Sequence, residues 1–138
     1  VVDRTRLIDR GKLPWSFCSE VLKVGYDVHI TRAEHWSESE SNPITLVEWL
    51  DYIAGDAEMR VDNFAEADVD GDTLRYDNEG LAVWTAFSGH GLNGNMAWFD
   101  YRHGAVVVKN PSEEILGKMK RIAAALCANV IGDEGEFY

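Results

Sequence analysis

The hydrophobic period of this chain changes twice, and that change constrains its fold more than any other feature. Leu46, Trp49, Leu50 and Ile53 recur at i, i+3, i+4 and i+7, the spacing of one helix face. Thr45 and Glu48 stand in capping-box positions ahead of them, with Ile44 and Trp49 placed to form the hydrophobic staple. Gly55 supplies the stop. From Asp72 the period becomes strand-like. Thr73–Tyr76, Leu81–Phe87, Asn95–Tyr101 and Ala105–Lys109 are short β-rich or apolar runs, with Asn78-Glu79-Gly80 and Arg102-His103-Gly104 as hairpin turns between them. Helical spacing then returns in Ile115, Met119, Ile122 and Leu126, while Lys118, Lys120 and Arg121 fall off that stripe. Asn110 is read as the cap of this second helix, Pro111 suits its first turn, and Glu113 and Glu114 favour its positive end.

Two further strands frame this pattern. In Gly25–Arg32, Tyr26, Val28 and Ile30 alternate with Asp27, His29 and Thr31, and Ala128–Ile131 closes the chain with a final strand, Glu136–Tyr138 adding to it. The predicted order is β-α-β-β-β-β-α-β. That order implies an α+β domain with a mainly antiparallel sheet of about five to six strands and two helices packed on one face. A chain of 138 residues, 46% of them apolar, can bury one core of this kind. No apolar run approaches the roughly 20 residues of a bilayer-spanning helix.

Two helices leave the other sheet face to be covered. Leu81–Phe87 and Met96–Tyr101 carry apolar or aromatic residues on both of their faces. Trp84, Trp98 and Tyr101 are therefore candidates for an aromatic surface that a partner covers, unless the N-terminal segment, a loop or a second copy does so.

The formal charge of −11 repels nucleic acid and anionic membranes and attracts basic proteins. Aromatics at 11% place this charge on a folded body and exclude acidic disorder. Carboxylates crowd the first half, Glu38, Glu40, Asp68, Asp70 and Asp72 among them. An ordinary solvated face accounts for them; the functional reading is mimicry of a phosphate backbone or masking of a basic cleft. Residues 1–23 differ, with five basic and three acidic side chains, so the remaining 115 residues carry −13. Either Val24 is a GTG-encoded start and 1–23 is upstream sequence, or 1–23 is a basic arm whose apolar plug, Trp15-Ser16-Phe17, docks on the acidic body.

Catalytic and metal motifs are weak. Asp68-Val69-Asp70-Gly71-Asp72 with Glu79 places acids at positions 1, 3, 5 and 12 of an EF-hand loop, but Thr73 occupies the position that needs glycine. An Asp-Gly turn leading into a strand is expected instead. The loop 88–95 holds Gly89, Gly91 and Gly94 around His90. As an alternative enzyme site it would use His90 with neighbouring Asp100, although glycines needing positive φ explain it without chemistry. His29, His35, His90 and His103 match no ligand spacing, so neither metal nor cofactor is expected. Cys18 and Cys127 are too few for a disulfide framework, and Cys127 in its Ala-rich run reads as a buried inert thiol.

The opening YDVHITRAEHW (26–36), the EWL helix (48–50) and the closing KNPSEEILGKMKRIAAALCANVIGDEGEFY (109–138) resemble a group of small, uncharacterised bacterial α+β proteins. Their pattern is an ITRAxxW opening and a KNPxxE…GDxGExY ending. The resemblance implies a bacterial, cytoplasmic, free-standing domain over most of 24–138 and implies no chemistry. Taken together, these features lead us to expect a non-catalytic acidic binding protein, an inhibitor or immunity-type partner of a basic, nuclease-like protein. It would bind neither nucleic acid nor membrane. A homo-oligomeric accessory domain, a homodimer included, and a small enzyme at loop 88–95 are the alternatives.

Overall fold

A computed structural model describes residues 25–138. The two readings of residues 1–23, Val24 as initiator and Cys18 all lie outside the described residues. The elements are β1 (Asp27–Thr31), a 3-10 segment (Trp36–Ser41), α1 (Leu46–Ala54), β2 (Met59–Val61), β3 (Phe64–Val69), β4 (Asp72–Asp77), β5 (Leu81–Trp84), a 3-10 turn (Leu92–Gly94), β6 (Trp98–Arg102), β7 (Ala105–Lys109), α2 (Glu113–Ala125) and β8 (Asn129–Gly132). Six strands form one antiparallel sheet in the order β2-β5-β6-β7-β1-β8, and β3 with β4 forms a separate hairpin. The fold is the expected α+β class. Two strands, β2 and β3, were not anticipated. The β3 sequence FAEADV is rich in alanine and acidic residues, which strand propensity disfavours. Pairing across the Asp70-Gly71 turn makes it a strand; both turn residues have positive φ, 52° and 83°, as a tight hairpin turn requires.

Both helices bury their stripes against the same sheet face. Trp49 and Ile53 of α1 and Ile115, Met119 and Ile122 of α2 share one cluster with Val28, Ile30, Ala82, Trp84, Phe99, Val106, Val108 and Val130. Each such large apolar side chain stabilises the fold by about 1.5–3 kcal/mol. The start of α1 is held by the expected capping box. The Thr45 hydroxyl accepts from the Glu48 N–H at 3.1 Å, and the Glu48 carboxylate accepts from the Thr45 N–H at 2.9 Å. Arg32 grips that carboxylate with both terminal nitrogens at 2.9 and 3.1 Å. Arg32 first, then the Thr45 N–H, holds the Glu48 carboxyl down at about 2.

The second helix departs from expectation at three points. Its cap is Ser112, whose hydroxyl accepts from the Ile115 N–H, and not Asn110. Asn110 has a positive φ and binds the Tyr26 N–H, before the helix begins. Lys118, placed off the stripe by its charge, is buried at 3% exposure. Its stem runs along apolar surface, and its ammonium ends 2.7 Å from Asp56 Oδ2 and 3.1 Å from Glu58 Oε1.

Cys127 is exposed, not buried, because α2 ends before it. It takes the left-handed position (φ 54°), and the Ala128 N–H returns to the Ala123 carbonyl at 2.8 Å. Glycine is the usual residue there. Cys127→Gly is therefore expected to stabilise the domain by about 1 kcal/mol, read as a higher urea midpoint. A lower midpoint would show that the thiol makes a contact worth more than the backbone strain.

The second sheet face is largely self-covered. Leu81, Val83, Val107 and Ile131 on it are buried. The β3–β4 hairpin is tied to this face through Tyr76 and Asp100, and the 3-10 segment through Trp36 and Asp133. Of the two readings left open by the sequence, cover by the chain's own loops holds over most of this face.

Candidate functional site

The covered face is polar at its centre, and alternation along the strands explains why. In β1, Val28 and Ile30 enter the core, so Asp27 and His29 point to the opposite side. In β6, Phe99 enters the core and sends Asp100 outward on the other face. Register places His29 opposite Val107, and Val107 opposite Asp100, in one row across the sheet. Two hollows lie here and share Arg102 and Val107 as lining. The first, of about 220 Å³, is walled by Phe87, Met96, Trp98, Lys109 and Ile115. The second, of about 410 Å³, is lined by Asp27, His29, Trp36, Glu40, His103 and Asp133.

His29 and Asp133, 104 residues apart, meet at 3.0 Å through Nε2 and Oδ1. The other Asp133 oxygen accepts from the Asp27 N–H at 2.8 Å. Trp36 stacks on the imidazole with ring centroids 4.6 Å apart and planes within 4°, and its indole N–H donates to the Asp133 carbonyl. Burial lowers the His29 pKa below its ordinary value, against the pull of Asp133 and Asp27. The imidazole is thus neutral at pH 7. With Nε2–H donated to Asp133, Nδ1 carries the lone pair.

Asp100 anchors the other side. It accepts from the Tyr76 hydroxyl at 3.0 Å and the Asn78 amide at 2.7 Å, and Arg102 Nε lies 2.9 Å from it. Burial pushes its carboxyl above the usual range, while Arg102, Tyr76 and Asn78 pull the other way. The turn His103-Gly104 frames the second hollow. Gly104 has φ 83°, and a Cβ there would lie 2.9 Å from the Ser39 carbonyl and 2.8 Å from Pro43 Cβ. Only glycine lets the 3-10 segment close against this hairpin.

The residues singled out from sequence do not gather into one site. Trp84 is sealed in the core at 4% exposure, with its indole N–H on Glu58 Oε1 at 3.1 Å, so it offers nothing to a partner. Tyr101 is half-buried, packs on the core and donates to the Ile44 carbonyl at 2.8 Å. Trp98 alone keeps a surface role, on the wall of the first hollow. Glu38 and Glu40 are exposed on the 3-10 segment, where Glu40 meets His103 at 3.0 Å. Asp68, Asp70 and Asp72 are exposed around the β3–β4 turn, and Thr73 donates to Asp68. Among the described residues no group of three or more His, Cys, Asp or Glu could hold a metal ion.

The alternative pairing of His90 with Asp100 is not formed. Asp100 is held by Tyr76, Asn78 and Arg102, and His90 lines neither hollow. Loop 88–95 instead uses positive φ at Gly91, Asn93 and Gly94. His29 and His35 separate as well, the first to Asp133 and the second to Ser37 at 2.7 Å. Sequence reading gave Trp36, Arg102 and Asp133 no part in a site. The one available signal was the alternation of Asp27 and His29 on a single strand face.

Searches with the sequence and the structure match no protein-family model, no curated protein and no solved structure. No helix among the described residues is long and apolar enough to cross a membrane. What fold and site define is a class: an acidic α+β domain with a polar, hollowed sheet face and a carboxylate-bearing hairpin.

Proposed function

We propose that this chain is a non-catalytic acidic binding domain whose partner is a basic protein, an inhibitor or immunity-type role included. One observation carries the reading. Glu66, Asp68, Asp70, Asp72 and Asp77 stand exposed on a single hairpin, with Arg75 the one basic residue among them and engaged by Glu66 and Asp77. The resulting excess of negative charge steers a cationic surface toward that hairpin.

The reading is tested by titrating a nona-arginine peptide into the protein at two salt concentrations. Affinity should fall steeply as salt rises. Changing Asp68, Asp70 and Asp72 together to asparagine should weaken it about five- to tenfold at low salt. Asparagine tolerates the positive φ of residue 70, so the hairpin should survive the change. Salt-independent binding, or unchanged affinity in the triple variant, would refute the proposal.

A further inference from the structure

We infer that the second hollow is a pocket for a cationic side-chain head, the guanidinium or ammonium of one arginine or lysine of the partner. This inference rests on the binding reading above and says where its anchor goes.

The pocket is built of acceptors. His29 is 94% buried, since its exposure is 6%, and lines the hollow with Nε2 committed to Asp133. Its Nδ1 takes no hydrogen bond from any described residue. A neutral imidazole buried in this way presents a lone pair, which suits an N–H donor and not an anion. Two residues away on the same strand face, the half-buried Asp27 carboxylate also lines the hollow, and among the described residues it has no hydrogen-bond or ion-pair partner. Desolvating a carboxylate without a partner is costly, and an incoming cation removes that cost.

The remaining charges point the same way. Asp27, Glu40 and Asp133 face one guanidinium, Arg102, and that guanidinium is already ion-paired with Asp100 on the far side. Three carboxylates against one guanidinium leave the lining of the hollow acidic. Trp36, stacked on His29, also lines the hollow, so its indole N–H reports on anything bound there. About 410 Å³ accommodates one such head with the end of its stem.

The experiment is a nitrogen-15 NMR titration of the whole chain with n-butylguanidinium, n-butyrate and, separately, nona-arginine. The pocket predicts that n-butylguanidinium shifts the Trp36 indole N–H and the His29 imidazole nitrogens saturably. It predicts that n-butyrate does not, and that Asp27→Asn weakens the effect at least fivefold. Asp27→Asn is isosteric and removes no contact, so the fold should be kept; the unperturbed remainder of the spectrum checks this. If n-butyrate shifts the same nuclei equally, or Asp27→Asn binds n-butylguanidinium as the native chain does, the pocket is refuted. If nona-arginine binds with steep salt dependence yet leaves Trp36 and His29 unmoved, the pocket fails while the acidic-surface reading stands. If nona-arginine does not bind at all, both fail.

Discussion

Replacing Lys118 with methionine is expected to cost the domain about 3–5 kcal/mol and to lower its urea midpoint by roughly 2 M. Methionine matches the lysine stem in volume, so the loss should come from the charge and not from a cavity. The Lys118 ammonium is 4% exposed at its side chain and sits between Asp56 and Glu58. Glu58 in turn takes the Trp84 indole N–H, and Asp56 takes the Tyr52 hydroxyl at 2.5 Å. One lysine thus joins α2 to the end of α1 and to β5. Without it, the Asp56 carboxylate is left desolvated beside a second carboxylate. A loss of this size is a large share of the 5–15 kcal/mol that holds a typical domain folded.

Acid should separate this account from simple loss of packing. Burial alone would raise the Asp56 carboxyl, but Lys118 and then Tyr52 hydrogen-bond it and hold it below its ordinary value. In the native chain its stabilisation is therefore full above the unfolded value near 3.9 and is lost as pH falls through the lower folded value. In Lys118→Met the remaining burial raises that carboxyl, so protonation relieves the variant. The stability gap between the two proteins should shrink between pH 7 and about pH 4. A gap that stays constant over that range would show that the ion cluster is not its source.

Asp100→Ala is expected to destabilise by a similar 3–5 kcal/mol, with a different spatial signature. The carboxylate is the shared acceptor for Tyr76 on β4 and Asn78 in the following turn, and it neutralises Arg102 on its own strand. Removing it takes an acceptor from the Tyr76 hydroxyl and the Asn78 amide and the nearest counter-charge from Arg102. Tyr76 ties strand β4 of the hairpin to the sheet. Amides of β3 and β4 should then exchange with deuterium much faster than those of β1 and β7, because the hairpin can open without unfolding the sheet. Equal acceleration everywhere would mean that Asp100 supports the fold as a whole and does not specifically clamp the hairpin.

The helices, the hairpin turns at Asp70-Gly71 and His103-Gly104 and the two-faced strand β1 were legible in the sequence because their causes are local. A capping box spans three residues, a helix stripe repeats every three to four, and a tight turn is written in two. The helix start at Ser112 was misassigned because two polar residues flank Pro111, and either could cap. Lys118 and Trp84 were placed on the surface for a related reason. Residue type gives an average burial, whereas their actual burial depends on Asp56, Glu58 and Trp84 meeting one another.

The candidate site lay further out of reach. His29 and Asp133 are separated by 104 residues, Trp36 and Asp133 by 97, and Tyr76 and Asp100 by 24. No periodicity links positions so far apart; the order β2-β5-β6-β7-β1-β8 and its register do. By itself the sequence determined the α+β class, the helix faces and the acidic balance, each set by neighbouring residues or by composition. Only the tertiary structure decided which charges are buried, which tryptophans are sealed and which carboxylates meet a counter-charge. A side chain's solvent and its partners come from chain segments distant in sequence, and they exist only once the sheet has closed.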